Sequence, residues 1–316
     1  MDSESGIPIL DFRKSTRIIL EEGSQGWKEM SKKVIETFES HGVFLLRCDE
    51  IPNKLQKEMF TCMKSLFELP EETKLKFSDS RLARGSKISF IPHSQSFGIE
   101  DAFKLETTQN FTNRMWPEGN PTFCETLFSF VSKARELNSL ILKMIVEGFD
   151  LLEKYNLEIE KLSSDTNSRL TMYQFSVENK DSAVTFVPHT DKSTITLICE
   201  NEIQGLQVLQ KSGNWVNVNV PSNGFVVIVG DILQTWSNGR FEAPMHRVVL
   251  KGDNKERFVF VLFSFPKKDT LIKIPSELVD EEDHPLRYKS FKYEEFINFI
   301  NTTGTKEGAL EEFAGL

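Results

Sequence analysis

Apolar positions along this chain keep one period in the first half and another in the second. In "GWKEMSKKVIETFESHG" Trp27, Met30, Val34, Ile35 and Phe38 recur at helical intervals and the run closes on Gly42, which predicts a helix with a glycine C-cap. "PNKLQKEMFTCMKSLFELP" puts Leu55, Met59, Met63, Leu66 and Phe67 on one helical stripe before Pro70 stops it. Each helix follows a short apolar run, "GIPILDF" and "VFLLRC", of a length that fits a strand. Residues 78–120 mix Gly, Ser, Pro and Asn with isolated aromatics and read as a loop with short strands, long enough to point to function. A long helix then opens with Pro121 near its first turn and carries Phe128, Val131, Leu137, Leu140, Ile141, Met144 and Ile145.

From Arg169 onward the period becomes two. "RLTMYQFSV", "STITLICE", "GLQVLQ", "WVNVNV", "GFVVIVGD", "HRVVL" and "RFVFVLFSF" are short, β-branched and aromatic, and turn residues such as "KSGN", "PSNG" and "KGDN" separate them. Strands at this spacing predict a sandwich or barrel. No Pro/Gly-rich linker divides the halves, so the expectation is one α+β unit with helices packed outside a β core. Its parts are an N-terminal mixed region over 1–120, a bracing helix region over 121–167, a β core over 168–267 and a C-terminal extension over 268–316.

Composition narrows the partners. A chain of 316 residues with 39% apolar and 27% charged content buries a sizeable core, and a net charge of −9 argues against nucleic acid or anionic membrane as a partner. The N-terminal "MDSESGIPIL" holds early acids and a four-residue apolar piece, which argues against secretion. Cys48, Cys62, Cys124 and Cys199 are isolated, as in a reducing compartment, and are expected to be buried small apolar residues. The expectation is a cytoplasmic monomer acting on a small molecule.

Within the β half, "HTD" places His189 and Asp191 two positions apart, where a strand would turn both to one face. Such a pair is also an ordinary turn or strand edge, and a metal site needs a third ligand. His246 in "APMHRVVL" opens another β segment beyond "GFVVIVGD" and can supply it. Two imidazoles and one carboxylate form the facial set that holds non-haem Fe(II) with open positions. Arg257 begins the apolar "RFVFVLFSF", where a guanidinium needs a carboxylate partner and its planar fork suits a dicarboxylic acid. The alternative is a strand-end Arg paired to Asp253 or Glu256 in solvent.

With "HTD", "VVIVGDILQTWSNGRFEAPMHRVV" and "RFVFVLFSF" in this order, the second half resembles the plant Fe(II)/2-oxoglutarate-dependent dioxygenases. "GIPILDF", "HGVFLL", "LFELPEETK" and "MWPEGNPTFCE" are similar to their N-terminal half, so the likeness covers nearly the whole chain. The branch that looks nearest includes glucosinolate side-chain and alkaloid-modifying enzymes and, at more distance, auxin-oxidising ones. The resemblance implies a double-stranded β-helix (jelly-roll) core with flanking α-helices, of the isopenicillin N synthase-like kind. It also implies Fe(II) on His189, Asp191 and His246, with 2-oxoglutarate anchored by Arg257 and helped by Tyr173. The implied reaction oxidises a small specialised metabolite, most simply by hydroxylation, with O2 and with decarboxylation of 2-oxoglutarate to succinate and CO2, ascorbate supporting. One position departs: where the family has Ser two residues after the Arg, this chain has Val259. That departure keeps open a same-fold oxidase that does not use 2-oxoglutarate, and a non-catalytic small-molecule binding protein is the other alternative.

Phe97, Phe103, Met172, Phe265 and the C-terminal "ALEEFAGL" are the expected pocket lining. His41 is expected to face a helix dipole, His93 and His284 to lie at the surface, and Asp231 and Asn238 to hold turns.

Overall fold

Strand parity organises the molecule, because alternate residues of the central strands face two different apolar layers. The computed structural model describes residues 6–13, 21–78, 94–174, 183–250, 256–304 and 307–316. His93 and Asp253 lie outside them.

The N-terminal part runs β1 (Ile9–Asp11), α1 (Gln25–His41), β2 (Val43–Arg47), α2 (Asn53–Phe67), α3 (Glu71–Ser78), β3 (Ser94–Glu100), α4 (Leu105–Met115), α5 (Pro121–Gly148) and α6 (Lys154–Lys161). Helix α1 starts where the Ser24 hydroxyl accepts the Trp27 N–H, and it ends at Gly42 with φ 66°. A side chain at Gly42 would collide with the Glu242 carbonyl at 2.1 Å. Asn120 caps α5 by accepting the Phe123 N–H, and Pro121 fills its first turn as expected. Helices α1 and α5 cross closely at Gly148, where a Cβ would stand 2.5 Å from Ile35. Helix α4 corrects the reading of 78–120 as loop and short strands: Thr108, Phe111, Thr112 and Met115 give it a buried stripe. That stripe is too short and too polar to stand out by period.

The β half comprises β4 (Asp165–Gln174), β5 (Ala183–His189), β6 (Ile195–Glu200), β7 (Leu206–Leu209), β8 (Trp215–Asn217), β9 (Gly224–Val229), α7 (Asp231–Trp236), β10 (His246–Leu250) and β11 (Glu256–Phe265). The extension carries β12 (Leu271–Ile272), β13 (Phe291–Lys292), α8 (Tyr293–Thr303) and α9 (Ala309–Ala314). One sheet has the order β1-β2-β9-β6-β11-β4-β3, a second β5-β10-β7-β8, and β12 pairs with β13.

On β11, Phe258, Phe260 and Leu262 point to the layer under the helices, while Val259 and Val261 point to the layer shared with the second sheet. Strand β9 divides likewise, Phe225, Val227 and Val229 against Val226 and Ile228. Each fully buried Phe or Leu is worth about 1.5–3 kcal/mol, so the helix layer is what fixes which face of the large sheet turns inward to the second sheet. Two facing sheets under a helical coat make the jelly-roll core with flanking helices. Cys48, Cys62 and Cys199 are buried as expected, Cys124 is half-buried, and all four are free thiols. Among the described residues no helix is long and apolar enough to cross a membrane.

Candidate active site

Between the sheets, β5 and β10 run antiparallel with His246 directly opposite His189, and the two rings lie 4.2 Å apart. Asp191 is not on a strand. Strand β5 ends at His189, so alternation does not aim the carboxylate; the turn into β6 does. The Asp191 carbonyl accepts the Asp231 N–H at 2.8 Å, and Thr196 Oγ1 donates to Asp191 Oδ2 at 2.7 Å. Its Oδ1 is thereby left 3.6 Å from His189 Nε2 and 3.7 Å from His246 Nε2. One donor atom from each residue lies within 4.8 Å of the others.

Both imidazoles are oriented from behind. His189 Nδ1 lies 2.9 Å from the Val187 carbonyl and His246 Nδ1 3.2 Å from the Pro244 carbonyl, so each Nδ1–H donates there and each Nε2 keeps a lone pair toward Asp191. Burial pushes the Asp191 carboxyl up, but His246, His189 and the Thr196 hydroxyl outweigh it and hold the group well below the usual carboxylate range. Burial, with His189 alongside, pushes His246 down to about 4. The site therefore presents two imidazole Nε2 atoms and one carboxylate, the set that divalent iron accepts. Asp231 caps the arrangement from the start of α7, buried and paired with Lys192 at 2.6 Å.

Arg257, 1% exposed, lies opposite Tyr173 on β4, with its guanidinium carbon 5.1 Å from the tyrosine ring. Among the described residues its carboxylate partner is not Glu256 in solvent. Buried Glu200, at the end of β6, accepts from Arg257 Nε at 3.1 Å and from Nη2 through the same Oε2. Sequence reasoning missed Glu200, although a charged residue closing the wholly buried "ITLICE" was an available signal. Among the described residues Arg257 Nη1 and Glu200 Oε1 are buried without a hydrogen-bond partner. A buried guanidinium nitrogen left open fits a further carboxylate. Val259, beside Glu200 in register, offers no hydroxyl.

His189, Asp191, His246, Arg257 and Val259 share the wall of a cavity of about 920 Å³ that includes Arg169, Thr171, Tyr173, Phe186, Ile198, Val261, Phe263 and Phe265. Of the expected pocket residues, Phe265 is on this wall and Phe97, Phe103 and Met172 are not. Met172 is adjacent to Tyr173 and so faces the helix layer, where Phe97 packs 5.5 Å from Phe67. Phe103 lies against the same layer under Arg135. The C-terminal "ALEEFAGL" does not line the cavity either, since Phe313 packs on Phe291, Phe296 and Phe299. Helix α8 borders the cavity instead, through Tyr293, Glu294, Ile297, Asn298 and Asn301. His41 ends α1 beside Ser40, and His284 is an exposed partner of Asp280. Asn238 holds its turn by donating to the carbonyls of Leu278, His284 and Pro285.

Residues 165–266 match the family model of the 2OG-Fe(II) oxygenase superfamily, and residues 7–121 match that of the N-terminal region of the non-haem dioxygenases of morphine synthesis. The chain belongs to the 2OG-Fe(II) oxygenases. A probable 2-oxoglutarate-dependent dioxygenase of Arabidopsis thaliana, AOP1, is 35% identical over 94% of this chain and 97% of its own length. A second Arabidopsis thaliana relative, the 2-oxoglutarate-dependent dioxygenase AOP3, is 26% identical over 98% of this chain and 97% of its own. Among solved structures, the dioxygenase for auxin oxidation of rice superposes with a TM-score of 0.82 at 28% identity, covering 98% of this chain and 99% of that one. This oxygenase is an Fe(II)- and 2-oxoglutarate-dependent enzyme that oxidises a small molecule with O2.

Proposed function

We propose that the reaction is hydroxylation of a small, fairly apolar specialised metabolite, with Fe(II) held by His189, Asp191 and His246 and 2-oxoglutarate held by Arg257 and Tyr173. The observation that carries this reading is the convergence of three donor atoms within 4.8 Å on the wall of the same cavity that holds the unpaired Arg257 Nη1. Iron bound there supplies the open coordination positions at which O2 is activated and a substrate C–H bond is oxidised as the 2-oxo acid loses CO2. The chain's own part is placement. Val187 and Pro244 carbonyls keep both imidazoles in the ligating tautomer, Thr196 turns the Asp191 carboxylate, and Arg257 fixes one end of the cosubstrate. Phe186, Phe263, Phe265 and Ile297 surround the remaining space with apolar surface that excludes water.

The same reading makes the protein a cytoplasmic monomer in which residues 1–120, 121–167, 168–267 and 268–316 act as one integrated unit, without a nucleic-acid or membrane partner. The net charge of −9 supports it.

The test is anaerobic loading with Fe(II) and 2-oxoglutarate, then exposure to a plant metabolite extract in labelled O2. We expect one compound to gain a single labelled oxygen in step with succinate, and His189→Ala to lose both iron retention and turnover. Turnover unchanged in His189→Ala, or a product without labelled oxygen, would overturn the reading.

A further inference from the structure

Arg169 has no role in holding the metal or the distal carboxylate of the cosubstrate, yet it faces the same cavity. On β4 it shares the inward parity of Thr171 and Tyr173, and it lies opposite Val261 on β11 and Gly98 on β3, neither of which offers a charge. Among the described residues no carboxylate pairs with it and no hydrogen bond ends on it. Its guanidinium carbon stands 5.6 Å from the centroid of the Phe263 ring, a contact much weaker than an ion pair. Burial pushes Arg169 down from its ordinary value, and the nearby charges that oppose this are Tyr173 and Asp191. Asp191 is already committed to two imidazoles and Thr196. Of the other cations on the cavity wall, Lys192 is matched by Asp231 and Arg257 by Glu200.

Arg169 is half-buried on an apolar-walled cavity, and a cation drawn partly out of water without a counter-charge is costly unless a ligand brings the opposite charge. The cosubstrate's distal carboxylate is not that ligand, because Arg257 lies opposite Tyr173, four residues and about 13 Å along β4 from Arg169. Arg169 instead stands where the metal end of the cavity opens toward Phe263 and Phe265. We propose that Arg169 docks the anionic group of the substrate, so that this oxygenase acts on small carboxylic acids with an apolar body. The inference rests on the oxygenase reading of the same cavity. An acid held by its carboxylate at Arg169 lays its apolar part against the Phe walls and presents its C–H bonds to the metal side.

The test is anaerobic calorimetry on the full chain loaded with Fe(II) and 2-oxoglutarate, using phenylacetate, cinnamate and decanoate beside their neutral primary amides. At neutral pH the acids are ionised and nearly isosteric with the amides. We expect at least one acid to bind at least about tenfold more tightly than its amide, and Arg169→Gln to abolish that preference. Arg169→Lys, which keeps the charge, should retain part of it. Affinity for 2-oxoglutarate should stay within a factor of about two in both variants, since its distal carboxylate is held elsewhere. Equal binding of acids and amides, binding of neither, an acid preference that survives Arg169→Gln, or a loss of 2-oxoglutarate affinity in Arg169→Gln would each overturn the proposal. The last outcome would assign Arg169 to the cosubstrate. Absence of 2-oxoglutarate binding in the wild-type protein would instead defeat the reading of the cavity itself.

Discussion

Replacing Glu200 by Gln is expected to tighten 2-oxoglutarate binding. In the free protein Glu200 Oε2 already takes Nε and Nη2 of Arg257, and only Nη1 is left open for the cosubstrate. With Arg257 as the proposed anchor, binding would bring a second carboxylate to a guanidinium whose charge is already matched, in a place where both partners are almost wholly buried. Two carboxylates sharing one guanidinium stand about 5 Å apart, and at an effective dielectric of about 20 they repel by about 3 kcal/mol. Taking half of that, about 1.5 kcal/mol, to allow for relaxation of the cavity leaves roughly a tenfold fall in the dissociation constant. The same change removes the one counter-charge that Arg257 has among the described residues, so the unliganded variant should be less stable by up to about 3–5 kcal/mol and should regain more stability than wild type on adding cosubstrate. Anaerobic calorimetry with Fe(II) present gives the dissociation constant, and thermal melts with and without 2-oxoglutarate give the linkage. A dissociation constant that is unchanged or weaker in Glu200→Gln would refute the competition argument and leave Glu200 as a support that merely orients Arg257.

Three other outcomes follow from particular residues. Val259→Ser restores a hydroxyl next to Arg257 and should lower the Michaelis constant for 2-oxoglutarate by roughly fivefold, the worth of about 1 kcal/mol for one hydrogen bond; an unchanged constant means another group already serves. Phe97→Ala should cost about 3–5 kcal/mol in a denaturant melt, because Phe97 fills the helix layer, yet leave cosubstrate affinity unaltered; a shift in that affinity would put Phe97 back in the cavity. His246 is held at about 4, below its ordinary 6.5, so between those values the unfolded chain binds more protons than the folded one. The metal-free protein should accordingly lose stability as pH falls from about 6.5 to about 4, while Asp191, shifted downward, stays ionised across that window. Melting temperature against pH measures the slope, and a slope equally steep in His246→Gln would assign it to another group.

The helices α1, α2 and α5, the β half and the three converging donors were legible because each depends on local rules: apolar period, capping residues, and rare ligand types at the edges of apolar runs. Parity was legible too, and it already opposed Met172 as a pocket residue once Tyr173 was turned inward. What the sequence determined by itself is therefore the set of elements and the chemistry the chain carries. The tertiary structure alone decided which residues meet. Glu200 reaches Arg257 because β6 pairs with β11 in a register that puts Val259 beside Glu200, a choice made by the whole sheet across 57 residues of chain. Phe97 lost the cavity because the helices cover that face of β3, and α8 gained it because the extension folds back over the space between the sheets. Local preferences act within a few residues, whereas long-range register is set by summed burial over both faces of a sheet, and that sum exists only once the sheet is assembled.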